Sequence, residues 1–398
     1  MTLSKQKLPF DPLAPDFIAD PYPFYDRLRE ESPILYDPDW KLWFVSTYED
    51  INALLRDRRL GRDLEGAPKP DPKTPFGKLH LNSLMEKEPP DHSRLRGLVN
   101  KAFTPARVEA LRPRLTEIAH HLIDAVLPRR EMDLLADFAE PLPVMVIAEL
   151  LGVPEEGRSS LRPWSHAIVA MYELKPTVED ARRANCAVVE FSSYLGKLIA
   201  ERRASPQDDL ISALVEMEEE GNRLSEDEMI ATCILMLNAG HEATVNAIAN
   251  GMLAFFSHPA QYELLKRSPE LIKTAVEEIL RYDTPLHLFR RWVREGMEYK
   301  GLHLQKGAQL ALLYAAANRD PARFEAPHRF DITRQDNPHL AFGAGIHYCV
   351  GAPLARLEMQ VAIQTLIERL PQLRLANEKV EYRQSYVVRG LKSLPVTF

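Results

Sequence analysis

The stretch FGAGIHYCVG, residues 342–351, holds the sharpest chemical signal in this 398-residue chain. It carries one cysteine, Cys349, with three glycines and no acid. A cysteine ligates a metal or attacks as the thiolate, so its surroundings must favour an anion. Gly343, Gly345 and Gly351 are expected to supply positive φ and to bring the backbone close to a flat partner. Amide N–H groups exposed in such a loop can donate to sulfur. The following GAPLARLEMQVAIQTLIERL reads as a helix from about 351 to 369. Cys349 therefore stands near a helix N-terminus, whose partial positive charge favours a thiolate. No second Cys or His lies at zinc-like spacing, which excludes a local Cys₄ or Cys₂His₂ site. Two readings remain: a buried free thiol in a turn, and an axial ligand to haem iron. Cys186 and Cys233 lack such surroundings and read as structural.

Three further groupings could do chemistry. In LNAGHEATVN, Glu242 puts a charge into an apolar helix, which is expensive unless the acid is paired or functional. In EEILRYDTP, Glu278 and Arg281 are three apart and share a helix face. In EPPDHSRLRGLVNKAF, His92 and Arg96 are four apart on another. A core salt bridge is the plain alternative for Glu242, and a surface ion pair for Glu278 with Arg281.

These residues need a scaffold. Leu224-Ser225-Glu226-Asp227-Glu228 opens the clearest helix, with Ser225 and Glu228 forming a capping box. It can run to about Ser257, about 50 Å, and so should cross the core. A second helix spans about 268–282 and ends before Thr284-Pro285. Between Ser93 and Glu228 helical patterns dominate, broken at Thr104-Pro105, Gly152-Val153-Pro154, Lys175-Pro176 and Ser205-Pro206. PYPFYDRLREES from Pro21 is helical, PILYD and LWFVS are β-like, and GRDLEGAPKPDPKTPFGK from Gly61 to Lys78 reads as an irregular loop. Helices outnumber strands, and the strands gather near both ends, so a mainly α, α+β fold is expected.

The full pattern Phe-x-x-Gly-x-His-x-Cys-x-Gly, from Phe342 through Gly345, His347 and Cys349 to Gly351, resembles the haem-binding signature of the cytochrome P450 family. By that resemblance Cys349 is the metal ligand, and Phe342, Gly345 and Gly351 belong to the cofactor loop. Glu278 and Arg281 match the family's Glu-x-x-Arg. Arg329, within NRDPARFEAPHRFDITR, matches the arginine that completes a structural Glu–Arg–Arg network beneath the haem. His92, Arg96, Arg291 and His347 stand where the two haem carboxylates need donors. The likeness runs from about Pro21 to the C-terminus. It implies one triangular, mostly helical haem domain over residues 1–398 with a small β-rich lobe, residues 1–20 forming an extended N-terminal segment.

LNAGHEATVN also resembles the family's oxygen-binding motif, Ala/Gly-Gly-x-Asp/Glu-Thr-Thr. Ala239 and Gly240 would leave room for dioxygen, and Glu242 matches the acid that brings protons from solvent. Ala243 departs from the pattern, which usually has a threonine hydroxyl there to steer protons. Thr244 remains, but one residue along a helix is a rotation of about 100°, so it cannot simply substitute. A substrate hydroxyl, water held by Glu242 and Thr244, or direct use of hydrogen peroxide could compensate; the first two together are favoured. Leu235, Ala239 and Ala243 share a face expected to look at the haem. Asn238 borders it, equally able to bind substrate or a neighbouring backbone group. By resemblance Leu84, Leu286, His287 and Val387 also line the cavity, and the segment Met171 to Lys175 forms a moving mouth. The lining is mostly apolar, which suits a lipophilic small molecule.

Composition narrows the class. Formal net charge is −7, which implies no general attraction to nucleic acid or an anionic membrane. Three widely spaced cysteines are no disulfide framework, and with no apolar leader in the N-terminal residues the protein is expected to be cytoplasmic. A monomer is expected. The resemblance implies a monooxygenase using haem b, O2, and electrons that come ultimately from NAD(P)H. Arg94, Lys101, Arg107, Arg112, Arg114 and Arg356 lie in segments expected on the thiolate side. They predict an acidic ferredoxin or flavodoxin, with its reductase, as a separate partner; a solvated helix face explains them almost as well. Two rivals stay in view, a peroxygenase and a non-catalytic haem sensor or lipid-binding protein. Glu242 argues against both, and the apolar pocket against the second.

Overall fold

The computed structural model describes residues 7–173, 176–219, 224–377 and 379–398. The long helix spans Glu226–Ser257, and both hydrogen bonds of the Ser225–Glu228 capping box are present. Its direct packing companions include Pro141–Leu151, Glu155–Val169, Ile272–Tyr282 and Ala352–Arg369. It is the central strut of the helical body.

The breaks read from sequence are local caps. Thr104 caps the helix Pro105–Ala110 by accepting the Arg107 N–H. Gly152 ends Pro141–Leu151 at φ +72°, and Ser205 ends Val178–Ala204. The latter helix begins at a second capping box, Thr177 with Asp180. Lys175, together with Leu174 of the expected mouth, lies outside the described residues.

Ten short strands complete the chain among the described residues: β1 (Ile34–Asp37), β2 (Leu42–Val45), β3 (Leu60–Gly61), β4 (Glu131–Asp133), β5 (Leu288–Val293), β6 (Met297–Tyr299), β7 (Leu302–Leu304), β8 (Gln309–Leu313), β9 (Arg374–Leu375) and β10 (Pro395–Thr397). The main sheet has the order β1-β2-β8-β5-β3. The β1–β2 hairpin is the pair PILYD and LWFVS, in register Ile34 with Val45. A second sheet, β4-β10-β9, ties the C-terminus to the helical body.

Two sequence expectations change. The N-terminal segment is not wholly extended, because Pro15–Ala19 forms a helix that buries Phe17. Proline fits the first helical turn, and Phe17 stacks on Phe10 at 4.8 Å. The irregular loop is also shorter than Gly61 to Lys78: Gly61 pairs in β3, and a helix Pro75–Asn82 starts at the cap Thr74.

Buried apolar residues form two clusters, one in the helices and one around the main sheet. The cysteine loop bridges them. Leu340 and Ala344 pack in the sheet cluster, while Phe342 and Val350 pack on the helical one. The loop is thereby held from both sides.

Candidate active site

Cys349 N–H donates to the Phe342 carbonyl at 3.0 Å, which closes the loop. Gly343 and Gly345 have φ of +69° and +72°. A Cβ at Gly345 would collide with the Leu55 carbonyl, so glycine is required there sterically as well as conformationally. Gly351 differs from expectation: its φ is −80°, and it immediately precedes the helix Ala352–Arg369. A residue entering a right-handed helix has no need of positive φ. Its amide, with that of Ala352, instead hydrogen-bonds the Cys349 sulfur. Burial pushes the thiol pKa up, while these two amides and the charges of Arg96 and Arg356 pull it down; burial wins. Such a sulfur is ready for a cation that would compensate the buried charge.

The four basic residues expected at the haem carboxylates do converge. His92 and His347 stack with centroids 4.4 Å apart. Burial and the neighbouring His347 lower the His92 pKa to about 4. His347 Nε2 lies 2.9 Å from Glu88 Oε1, yet burial still lowers its pKa. Arg96 is half-buried and close enough to Cys349 to feel its charge. Arg291 is buried; it donates to the Arg290 carbonyl at 3.0 Å and hydrogen-bonds the Tyr314 hydroxyl. Among the described residues no carboxylate lies within ion-pair distance of it. Burying a guanidinium without an acid is costly, and burial accordingly lowers the Arg291 pKa. A haem carboxylate would answer that need.

Glu278 and Arg281 are both 0% exposed and form two parallel hydrogen bonds of 2.8 Å. Arg281 also donates to the carbonyls of Asn318, Pro327 and Arg329. Arg329 is not the third member. Its side chain is 66% exposed and reaches Asp331 at 3.3 Å. Arg334, five residues on in the same meander, fills the role: it is 12% exposed, with Nε 3.2 Å from Glu278 Oε2. The turn directs only the Arg329 carbonyl inward, so its side chain is left to solvent. Sequence reasoning also passed over Glu277. This carboxylate grips Arg356 at 2.6 and 2.8 Å and His339 at 3.0 Å, and Arg356 covers the Phe342 ring. The signal was available, since Glu277 is adjacent to Glu278 but points to the cysteine loop instead.

Along the long helix, Ala239 is exposed and Leu235 and Ala243 are half-buried, although most of their neighbours are buried. The shared face therefore looks into open space. Gly240 sits against Ile147, where a Cβ would lie 3.2 Å from its side chain. Glu242, half-buried, is held by two partners, with Oε1 3.3 Å from His166 Nε2 and Oε2 3.7 Å from Arg383. Thr244 faces a different neighbour, the buried Glu358, whose pKa burial holds well above the carboxylate range. Residues two apart on a helix point to opposite sides, so Glu242 and Thr244 do not jointly cradle one water. Asn238 is buried with Oδ1 unpartnered.

Leu286 and Val387 are half-buried and adjacent through the His287 N–H, which donates to the Val387 carbonyl at 2.9 Å. His287 itself is not on the cavity side. Its ring lies among Tyr22 and Tyr25, with Nδ1 3.0 Å from the Tyr25 hydroxyl. Extended backbone alternates its side chains, so exposing Leu286 buries His287. Leu84 is buried in the helical cluster on a 3₁₀ turn that packs against the long helix. Of the expected mouth, Met171 and Tyr172 form a 3₁₀ turn with Ala170, and Tyr172 packs on Phe76.

The basic patch is largely internally compensated. Arg94 pairs with Glu228, Arg112 with Glu109, Arg114 with Glu149, and Arg356 with Glu277. Among the described residues no helix is long and apolar enough to cross a membrane.

A sequence model of the family Cytochrome P450 matches residues 40–384. The chain is 42% identical over 388 residues to the biotin biosynthesis cytochrome P450 of Bacillus subtilis (strain 168), covering 96% of this chain and 97% of that one. It is 42% identical to the cytochrome P450 monooxygenase PikC of Streptomyces venezuelae, covering 99% and 95%. Its fold superposes with a TM-score of 0.91 on the crystal structure of P450BioI in complex with hexadec-9Z-enoic acid ligated acyl carrier protein. That structure is 41% identical, and the match covers 96% of this chain and 99% of that one.

Proposed function

The chain belongs to the cytochrome P450 family, and from that premise we propose which of its residues bind the cofactor, admit substrate and deliver protons. It is an oxidoreductase of the monooxygenase class, using cysteine-ligated haem, O2 and redox partners on a lipophilic substrate. Cys349 would hold the haem iron through its sulfur, and the bound haem would supply the oxygen-activating chemistry. The observation that carries the site assignment is the buried Arg291, which has no carboxylate within ion-pair distance among the described residues, together with the half-buried Cys349, whose sulfur two amides hydrogen-bond. The guanidinium suits a cofactor carboxylate, and the sulfur suits a cation.

Phe342, Gly345 and Gly351 shape the loop beside the cofactor, while His92, Arg96, Arg291 and His347 donate to its carboxylates. Glu277 positions Arg356, and Glu278, Arg281 and Arg334 brace the meander. Leu235, Ala239, Ala243, Leu286 and Val387 offer substrate an apolar wall with few polar handles. Asn238, buried with Oδ1 unpartnered, borders that wall.

Glu242 is the solvent-side acid, exchanging protons with bulk through His166. Ala243 carries no hydroxyl, and Thr244 is turned to Glu358. A substrate hydroxyl, with ordered water, is therefore the group that completes proton delivery. The cofactor is haem b, and electrons pass from NAD(P)H through a reductase and a ferredoxin or flavodoxin. We assign the enzyme as a cytoplasmic monomer with one haem domain.

Optical titration of the ferric holoenzyme tests this reading. Matched lipophilic pairs, with and without one hydroxyl, are compared for the haem-band shift and for turnover. Turnover confined to hydroxylated members supports substrate assistance. Equal turnover of both members would refute it and assign proton delivery to Glu242 and water alone. Turnover with hydrogen peroxide but none with electrons and O2 would favour the peroxygenase alternative.

A further inference from the structure

His166, His241 and Glu242 converge where the helix Glu155–Val169 meets the long helix. One ligand atom from each lies within 4.8 Å of the others. The imidazole centroids are 5.4 Å apart, and His166 Nε2 is 3.3 Å from Glu242 Oε1. Two imidazoles sharing a tetrahedral Zn²⁺ at about 2.0–2.1 Å would sit roughly 5 Å apart centre to centre. The rings already have nearly that spacing, and closure of the ligand-atom separations by at most about 1.5 Å would complete the set.

His241 supplies the second observation. It is buried, and neither ring nitrogen has a hydrogen-bond partner among the described residues. An unsatisfied buried imidazole is costly, and buried polar groups normally find partners. Burial and the nearby His166, Arg162 and Arg383 lower its pKa to about 3. At neutral pH it is therefore an uncharged ring with a free lone pair, the form that ligates metals. His166 is the more exposed imidazole and opens the cluster to solvent.

The surrounding charges permit a cation. Arg162 and Arg383 both pair with Glu140. Arg383 also donates to the Leu391 carbonyl, so it can release Glu242 and stay bound. Glu173, held by Ser385, adds a carboxyl close enough to sense Glu242.

We propose that His166, His241 and Glu242 form a binding site for a divalent transition-metal ion, Zn²⁺ fitting best, and that its occupancy slows turnover by withdrawing Glu242 from proton delivery. The binding site stands on the geometry of the cluster, whereas the effect on turnover rests on the role proposed for Glu242. Two imidazoles and a carboxylate are a donor set that suits Zn²⁺.

The test is calorimetric titration of Zn²⁺ into the haem-loaded enzyme, with His166→Ala, His241→Ala and His303→Ala in parallel. His303 is a surface imidazole paired with Glu298, remote from the cluster in sequence. One saturable site is expected in the wild type and in His303→Ala, weakened by about thirtyfold or more in the other two. Turnover should fall as the site fills, while the substrate-induced shift of the haem band keeps its amplitude. The haem band also reports folding; if His241→Ala fails to hold haem, the partly exposed His166→Ala carries the comparison. Absence of saturable binding in the wild type, or undiminished binding in His166→Ala, would overturn the site. Saturable binding with unchanged turnover would keep the site and overturn the relay role of Glu242.

Discussion

Replacing Arg334 should destabilise the protein, and replacing Arg329 should scarcely matter, although Arg329 is the residue that family likeness singles out. Arg334 contributes one charge-assisted bond to the fully buried Glu278, one at 3.0 Å to the Glu325 carbonyl and a long one at 3.5 Å to the Ala326 carbonyl. A hydrogen bond to a charged group is worth about 1.5–3 kcal/mol. Glu278 would not be orphaned in Arg334→Ala, because Arg281, Asn337 and the Asp331 amide still hold it. The cost is therefore about 2–3 kcal/mol, short of the 3–5 kcal/mol for breaking a buried pair outright. Arg329 forms an exposed pair with Asp331, a kind worth about 0–1 kcal/mol. Arg334→Lys should fall between, keeping the charge and losing the planar fork. The assay is urea denaturation of the holoenzyme, followed by the haem band and by far-ultraviolet circular dichroism. An Arg329→Ala loss equal to or larger than that of Arg334→Ala would refute the assignment of the third network residue.

Cys349→Ser should leave the secondary structure intact and abolish the optical signature of sulfur-ligated haem in the reduced CO complex. Arg291→Ala should speed haem loss to apomyoglobin by about 10–100-fold, the equivalent of one charge-assisted bond, with Arg291→Lys intermediate. Glu242→Gln should lower turnover by about 10²-fold or more and raise the solvent isotope effect, without altering substrate affinity. Glu277 gives a pH dependence. Burial opposes its ionisation, but Arg356 and His339 prevail and hold its pKa at about 2 against an ordinary 4.5. A depressed folded-state pKa stabilises above the ordinary value, so this contribution is full above about pH 5 and lost as pH falls toward 2. Denaturation midpoints measured down that range should decline less steeply in Glu277→Gln; an unchanged slope would exclude the coupling.

Much of the site was legible because its signals are local. Ser225 and Glu228 announce a helix start through hydrogen bonds that span three residues, and the structure forms both. Gly345 must be glycine because of its own φ and one nearby carbonyl. Glu278 and Arg281 share a helix face by periodicity alone. What failed depended on contacts distant in sequence or on the path of a turn. Arg329 and Arg334 lie in one irregular meander, and nothing in residue type tells which side chain turns inward. His287 sits in extended backbone beside Leu286, and which of the two faces the cavity depends on Tyr22 and Tyr25, more than 250 residues earlier.

The sequence by itself determined the glycine-punctuated cysteine loop, the helix behind it, the long capped helix, and the family. Each rests on short-range geometry, helical period or a motif within a few residues. Only the tertiary structure decided which arginine completes the buried network and that Glu277 steadies the cysteine loop. It alone brought His166 and His241 to Glu242. Those relations are set by where separate elements pack, and packing brings together side chains whose spacing along the chain carries no trace of the contact.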